Sequence, residues 1–195
     1  MQSSTMKRAI CAGASLAAIL AAAGAEGAEV RPYVRGGIDF GGDTLVTVVF
    51  VGGETDTIKA NEGVYAAGGV SILNEARNME VEISIGYKFD TITASNGEVD
   101  WTLMPVDALV FYRLPQWRLG GGLTYHLNPE LDGSGVVGGL NLKFDDALGV
   151  VLQADYLIRQ NMAVGARYTN VKYEPKGGGA SAKSGGIGAT FSYRF

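Results

Sequence analysis

The sequence contains few of the residues that build catalytic and metal centres. Among its 195 residues there is one cysteine, Cys11, and one histidine, His126. A disulfide needs two cysteines, and a zinc site takes its ligands mainly from cysteine and histidine. The composition therefore predicts neither a disulfide framework nor a metal centre, and we expect no cofactor.

Charge and long apolar runs are also scarce. Charged residues make up 18% of the chain and the formal net charge is −4. An acidic chain without a basic stripe is not expected to bind nucleic acid. Past residue 28, no stretch approaches the roughly 20 consecutive apolar residues of a membrane-spanning helix. The 29 glycines also disfavour helices, and the length leaves room for one domain.

The N-terminal segment has the pattern of a secretory signal peptide. Lys7 and Arg8 precede an apolar run from Ala9 to Gly24, which is long enough for the core of such a peptide and short for a membrane span. We therefore predict export by the Sec route. A buried helix or a membrane anchor is the alternative interpretation. Cys11 lies in this segment and would be removed with it.

Small residues after the apolar run give two candidate cleavage sites, after Ala25 or after Ala28. The predicted division of the chain is a signal peptide over residues 1–28 and a single mature domain over residues 29–195.

After residue 30 the pattern changes to an alternation with a period of two residues. It is clearest from Met79 to Phe89, where apolar side chains fall on one face and Glu80, Glu82 and Lys88 on the other. Such alternation indicates strands rather than helices. Eight segments follow this rule: Arg31–Phe40, Gly63–Leu73, Met79–Phe89, Val99–Arg113, Trp117–Leu127, Ala147–Ile158, Met162–Tyr173 and Gly186–Phe195.

The connections between these segments differ in length. Three are tight turns, namely Asn74–Asn78, Leu114–Gln116 and Arg159–Asn161. The others are longer, polar and rich in Gly, Asp and Ser: Gly41–Glu62, Asp90–Glu98, Asn128–Asp146 and Glu174–Ser184. Short turns at one end and long loops at the other are typical of an outer-membrane barrel with its long loops outside the cell. A soluble lipocalin-like barrel or a β-sandwich shares the alternation.

Aromatic residues distinguish between these folds. They collect near strand ends on the predicted apolar face, as an aromatic girdle at each membrane interface requires. They are Phe40, Tyr87, Phe89, Tyr112, Trp117, Tyr125, Tyr156, Tyr168, Tyr193 and Phe195. We therefore predict an all-β fold, an eight-stranded antiparallel up-and-down transmembrane β-barrel in the outer membrane of a Gram-negative bacterium.

The C-terminal segment carries a family resemblance. The chain ends in Phe191-Ser192-Tyr193-Arg194-Phe195, which resembles the signal by which the barrel-assembly machinery recognises outer-membrane proteins. The segments Tyr112–Pro115, Arg118–His126 and Gly165–Tyr168 are similar to those of small eight-stranded barrels of the OmpA transmembrane-domain and opacity-protein type. The resemblance implies the same architecture, with Phe191, Tyr193 and Phe195 as the assembly signal, and it does not indicate a particular function.

The face opposite the apolar one carries five acids and five bases. They are Arg35, Asp39, Glu80, Glu82, Lys88, Asp107, Arg118, Asp155, Arg167 and Arg194. An eight-stranded barrel is just wide enough for its own side chains to fill it, and buried charges are tolerated when they are partnered. We therefore predict a paired network in a closed barrel with a polar interior. The alternative is that some of these residues line a small pore or ligand cavity.

His126 is the one candidate for a catalytic base, because some outer-membrane barrels modify lipid A. The lipid A deacylase barrels resemble this sequence in having a histidine near a strand end, but Asn128 stands where their serine is expected. Without that nucleophile, serine-type ester hydrolysis has no attacking group. We predict that the protein is not an enzyme and that His126 is an interfacial residue. Glu130 and Asp132 are predicted to be solvated loop acids, or ligands of the divalent cations that bridge lipopolysaccharide.

The predicted function is structural or interactive. We expect a monomeric barrel that strengthens the membrane or presents its four outer loops, as an adhesin does, to host surface ligands or lipopolysaccharide. The alternative is a narrow pore or small-molecule conduit, favoured by the inward apolar residues Trp101, Leu103, Leu109 and Phe111. The apolar stretch Leu45–Val51 is expected to continue the first hairpin, with a projecting strand that pairs with a partner as the alternative.

Overall fold

The computed structural model describes residues 27–49, 55–94, 97–135 and 138–195. Of the predicted signal peptide, all but the last two residues lie outside the described residues. Within the described ranges, no helix has the length and apolarity needed to cross a membrane.

The described residues form twelve β-strands. They are β1 (Glu29–Gly41), β2 (Thr44–Val49), β3 (Thr55–Lys59), β4 (Gly63–Leu73), β5 (Met79–Ala94), β6 (Gly97–Arg113), β7 (Trp117–Gly135), β8 (Asn141–Lys143), β9 (Ala147–Arg159), β10 (Met162–Tyr173), β11 (Ala182–Lys183) and β12 (Gly186–Arg194).

Eight of these strands close into a barrel. Neighbours pair antiparallel in the order β1, β4, β5, β6, β7, β9, β10 and β12, and β12 pairs again with β1. The closing pair runs from Tyr33 opposite Arg194 to Gly41 opposite Gly186. A closed barrel satisfies its backbone hydrogen bonds between strands and has no free edge, so it can cross a membrane. The predicted fold, an all-β, eight-stranded antiparallel up-and-down barrel, is confirmed.

The outward face of the barrel is apolar. Leu148, Leu152 and Ile187 are 63%, 62% and 67% exposed, as expected of side chains that contact lipid. Nine of the ten aromatic residues predicted for the girdle are exposed on this face, and Tyr193 is partly buried. A shift of one residue in register would exchange the two faces of a strand, so the alternation fixes which side chains meet lipid.

The two ends of the barrel differ. One end carries the short turns around 74–78, 114–116 and 160–161 together with Glu29 and the C-terminus. We call it the periplasmic end, because outer-membrane barrels have short turns on that side. The opposite end carries β2, β3, β8 and β11 and is called the extracellular end.

Several strands extend beyond the predicted limits at the extracellular end. Strand β5 continues to Ala94 and β6 begins at Gly97, so most of the predicted loop Asp90–Glu98 is paired strand. Strand β7 continues to Gly135 and pairs there with β8, inside the predicted loop Asn128–Asp146. The polar residues that suggested loops are tolerated in these strands because the extensions stand in water above the membrane.

The apolar stretch Leu45–Val51, of which residues up to Val49 are described, does not continue the first barrel hairpin. Residues of β2 pair with β3 in a two-stranded sheet of their own. The chain leaves β1 through Gly41 and Gly42, whose φ angles are +101° and +88°. These left-handed conformations suit glycine, and they turn the chain away from the direction of β1. The expectation of a simple continuation is therefore wrong.

Candidate functional site

The ten residues predicted to form the interior charge network all lie inside the barrel. Each is at most 5% exposed. They come from seven of the eight barrel strands, at positions where the alternation points the side chain inward. The network is arranged in levels along the barrel axis.

The level nearest the periplasmic end is built around two neighbouring carboxylates of β5, Glu80 and Glu82. Arg194 donates from Nε to Glu80 at 2.7 Å and from Nη2 to Glu82 at 2.8 Å. Arg118 contacts both carboxylates, and Arg35 forms an ion pair with Glu82. Two buried like charges are stable side by side only when cations surround them, and three guanidinium groups do so here.

The next level joins two acid–base pairs. Arg167 donates to both oxygens of Asp107, at 2.8 and 3.0 Å, which is the bidentate geometry that guanidinium and carboxylate groups favour. Arg118 lies 2.7 Å from Asp155 through Nη2, so it connects this level to the first. Gln153 donates to Asp155 at 2.9 Å.

A third level contains the one lysine of the network. Lys88 lies 2.8 Å from Asp39 and donates to the backbone oxygen of Asn61 at 2.5 Å. Asn61 lies in the turn between β3 and β4, and its side-chain oxygen accepts from Ser184 at 3.2 Å. The network therefore holds two extracellular loop segments against the barrel wall.

Two glycines make room for the carboxylates. A Cβ atom at Gly165 would overlap an oxygen of Asp155, and one at Gly188 would overlap an oxygen of Asp39. Both glycines stand directly opposite the acid on the neighbouring strand. Glycine on the inward face is therefore part of how this narrow barrel accommodates its charges.

Above the third level the interior is apolar, so the prediction of a polar interior holds for only part of the barrel. Trp101 is fully buried and packs edge to face against Phe144 and Tyr173, with ring centroids 5.6 Å apart in each pair. Ile58 of β3 and Leu131 of β7 join the same cluster. We call this cluster the extracellular plug. It forms because the β2–β3 hairpin folds its apolar side onto the inward residues of the extended strands.

His126 lies inside the barrel and is 3% exposed, so the prediction of an interfacial residue is wrong. Its Nδ1 is 2.5 Å from the hydroxyl of Tyr173. The alternation of β7 places it on the inward face, together with Arg118 and Thr124. The expectation of an interfacial position followed from its distance from the membrane centre, and the extension of β7 above the membrane removes that reason.

Some members of the interior were not singled out from the sequence. Arg113 donates to Glu80 at 2.6 Å and Ser71 donates to the same residue at 2.6 Å. The alternation indicates both, because they occupy inward positions of β6 and β4. Asn61 lies between strands, where no periodicity applies, and no sequence signal identified it.

The two acids near the end of β7 are partly buried strand residues rather than loop residues. Lys143 forms an ion pair with Glu130 at 2.6 Å, and Asn141 donates to Asp132. The hydrogen bond to Glu130 raises the pKa of Lys143 above its ordinary value. Both bonds fasten the short strand β8 to β7 outside the membrane.

The three aromatic residues of the predicted assembly signal lie on β12 and at the C-terminus. Phe191 and Phe195 are 44% and 67% exposed on the outer face. Tyr193 packs edge to face on Phe195, with ring centroids 5.1 Å apart. The backbone of this segment pairs with β1 and β10, so the C-terminal strand closes the barrel.

A closed barrel with a lipid-compatible outer face and a charged, paired interior defines the class of transmembrane β-barrel proteins. Residues 9–195 match the family model described as outer membrane protein beta-barrel domain. The chain belongs to this family, and the protein is an outer-membrane β-barrel protein. No curated protein sequence matches it.

Solved structures of small outer-membrane barrels are similar to this chain. The attachment invasion locus protein Ail of Yersinia pestis, in complex with the heparin analogue sucrose octasulfate, is 11% identical with a TM-score of 0.53, covering 86% of this chain and 99% of its own. Neisserial surface protein A is 12% identical with a TM-score of 0.48, covering 87% and 100%. The N-terminal barrel domain of Pseudomonas aeruginosa OprF is 12% identical with a TM-score of 0.35, covering 86% and 98%. At these identities, the similarity to Ail shows the fold alone.

Proposed function

We propose that this barrel is closed and non-catalytic, and that it acts as a surface-interaction protein through its extracellular end. The filled interior is the observation that carries the proposal. Glu82, Asp107, Lys88 and Trp101 occupy successive levels of the interior and are 0%, 4%, 3% and 0% exposed. A barrel of eight strands packed in this way leaves little space for a solute.

The apolar residues that favoured a conduit argue instead for packing. Leu109 and Phe111 form a buried cluster with Val151. The guanidinium carbon of Arg118 also lies 4.2 Å from the centroid of the Phe111 ring. Trp101 belongs to the extracellular plug. A side chain that contacts others on all sides does not line an open path.

The environment of His126 supports a non-catalytic role. Its Nδ1 is occupied by the hydroxyl of Tyr173, and its ring is buried beneath the plug. A general base must reach the proton that it removes from a substrate, and lipid A lies outside the barrel wall. A His126→Ala variant expressed in cells should leave the composition of lipid A unchanged, and an altered acylation pattern would contradict a non-catalytic role.

The charge of the extracellular end favours a cationic partner. The described residues of this end include eleven acids and five lysines. The acids are Asp43, Asp56, Glu62, Asp90, Glu98, Asp100, Glu130, Asp132, Asp145, Asp146 and Glu174, and the lysines are Lys59, Lys143, Lys172, Lys176 and Lys183. An acidic surface attracts positively charged segments and repels polyanions. Lipopolysaccharide would then be contacted through the divalent cations that bridge its phosphates, and a host ligand through basic residues.

Binding of a basic probe tests this role. Folded protein in maltoside micelles is titrated with a fluorescent oligolysine peptide and, separately, with heparin. The variant Asp100→Asn/Asp132→Asn removes two acids that face each other across β6 and β7. The control Glu29→Gln/Glu75→Gln removes two acids from the periplasmic end. We expect oligolysine binding that the first variant weakens and the control retains. Equal binding by all three proteins, or a preference for heparin, would contradict the proposal.

The route to the membrane forms part of the proposal. We infer Sec export through the signal peptide over residues 1–28 and delivery to the barrel-assembly machinery through Phe191, Tyr193 and Phe195. The position of these aromatic side chains on the outer face of the closing strand supports that role, because a partner can reach them before the barrel closes. We further infer that the mature barrel is a monomer surrounded by outer-membrane lipid.

A further inference from the structure

A cavity of about 770 Å³ opens at the periplasmic end of the barrel. Its walls come from all three short turns and from the start of β1, so segments far apart in the sequence meet around it. The polar lining consists of Arg31, Arg77, Asn78, Arg113, Arg159 and Gln160. We call this cavity the periplasmic cup.

The cup has an excess of positive charge. Four guanidinium groups line it, and the residues that line it include no acid. Glu29, beside the cup, forms ion pairs with both Arg31 and Arg77, so one negative charge is shared by two of these guanidinium groups. Arg113 lies 2.6 Å from Glu80, a carboxylate that is already surrounded by Arg118 and Arg194. Among the described residues, Arg159 forms no ion pair.

We propose that the periplasmic cup binds a phosphate-bearing anion. Guanidinium groups present parallel donors that match phosphate oxygens, and arginine is favoured over lysine where that geometry matters. The distribution of bases in this chain agrees with such a site. Outside the ten-residue interior network, the described bases of the periplasmic end are all arginines, namely Arg31, Arg77, Arg113 and Arg159, whereas those of the extracellular end are lysines. The volume lies in the range of small-molecule sites.

Neutral donors complete the site. The side-chain oxygen of Asn78 accepts a hydrogen bond from Asn74 at 2.8 Å, so its NH2 group is the end that can donate to a ligand. Gln160 adds a second carboxamide. A phosphate group with several oxygens can accept from both amides while the guanidinium groups balance its charge.

Two sources could supply this chemistry. The cup lies at the level of Tyr112, Trp117 and Tyr156, which belong to the aromatic girdle, and such girdles mark the headgroup region of the membrane. A phospholipid headgroup of the inner leaflet is therefore within reach. A soluble phosphate ester in the periplasm has the same oxygens and can enter from the open side.

Calorimetric titration of the folded protein in a neutral maltoside detergent tests the site. The probes are tripolyphosphate and short-chain phosphatidylglycerol below its micelle concentration, each titrated separately. The variant Arg77→Gln/Arg159→Gln removes two guanidinium groups that take no part in the interior charge network. The control Lys172→Gln/Lys176→Gln removes two positive charges from the extracellular end. Retarded migration of the unheated protein on a gel, compared with the heated form, verifies that each variant is folded.

We expect saturable binding of at least one probe, weakened about tenfold or more in the arginine variant because charge-assisted contacts are lost, and unchanged in the lysine control. Binding of the lipid alone identifies a headgroup site, and binding of tripolyphosphate alone identifies a soluble ligand. No saturable binding of either probe, or an equal loss in both variants, would overturn the proposal. The result is independent of the proposed surface role, because the two sites lie at opposite ends of the barrel.

Discussion

Replacing Glu82 by glutamine removes one negative charge from the centre of three guanidinium groups. Arg35 pairs with one carboxylate oxygen, and Arg118 and Arg194 pair with the other. Glutamine has the same shape but only one acceptor. If its oxygen faces Arg118 and Arg194, its NH2 group faces the guanidinium of Arg35, donor against donor.

The size of the expected loss in the free energy of unfolding follows from these contacts. The hydrogen bond to Arg35 is lost, and a bond to a charged group contributes about 1.5–3 kcal/mol. The two remaining bonds become neutral at one end and are weakened by roughly half. We expect the free energy of unfolding to fall by about 3–5 kcal/mol, which is the range found when a buried ion pair loses one partner.

Urea unfolding in lipid vesicles, followed by the far-ultraviolet circular dichroism of the barrel strands, measures this loss. The matched control is Glu130→Gln, which removes the same group from a partly exposed pair with Lys143 outside the barrel interior and should cost less than about 1 kcal/mol. The double variant Glu82→Gln/Arg35→Gln should lose less free energy of unfolding than the two single variants lose together, because the residues contact each other. Equal stability of the Glu82→Gln and Glu130→Gln variants would refute the paired interior.

Three further changes test other parts of the structure. Gly165→Ala should lower the free energy of unfolding by about 1–3 kcal/mol, because its Cβ would meet Asp155. Gly177→Ala, where nothing lies within 4 Å, should leave urea unfolding unchanged. Trp101→Ala should cost about 3–5 kcal/mol by the same assay and yet produce no conductance, because the charged levels beneath it stay closed; channel openings would show that the plug is the only seal. Phe195→Ala should reduce the amount of folded barrel in cells without lowering the urea midpoint of refolded protein. Normal assembly in cells would argue against an assembly signal.

The eight barrel strands were predictable because alternation is a direct consequence of strand geometry. In the segment Met79–Phe89, odd positions lie on the outward face of the barrel and even positions on the inward face. The same rule predicts that Arg118 and Asp155 point inward. Charge strengthened the prediction, because an arginine on the lipid face would cost roughly 2–4 kcal/mol near the middle of the membrane.

The partners within the interior could not be predicted in the same way. Glu82 and Arg35 are separated by 47 residues, and their contact depends on how far each strand is staggered around the barrel. Alternation predicts which face of the strand a side chain lies on, but it does not predict the position of that side chain along the barrel axis. Which guanidinium group pairs with which carboxylate is therefore determined only by the closed barrel.

The extracellular plug and the periplasmic cup were both beyond sequence patterns. The plug brings Ile58 from a hairpin outside the barrel onto Trp101, and the cup brings Arg31 near Arg159. Such sites join connections that have no regular spacing. Loops carry little periodic signal, although they are where binding residues often lie.

The closed interior is the central claim, and conductance tests it most directly. The mature chain from Glu29 is refolded in detergent, its folded state is verified by the gel shift on heating, and it is inserted into a planar lipid bilayer. The packed charges and the plug predict a folded protein that gives no discrete openings. Reproducible single-channel steps from the folded protein would contradict a closed barrel and would move the function from the extracellular surface to transport.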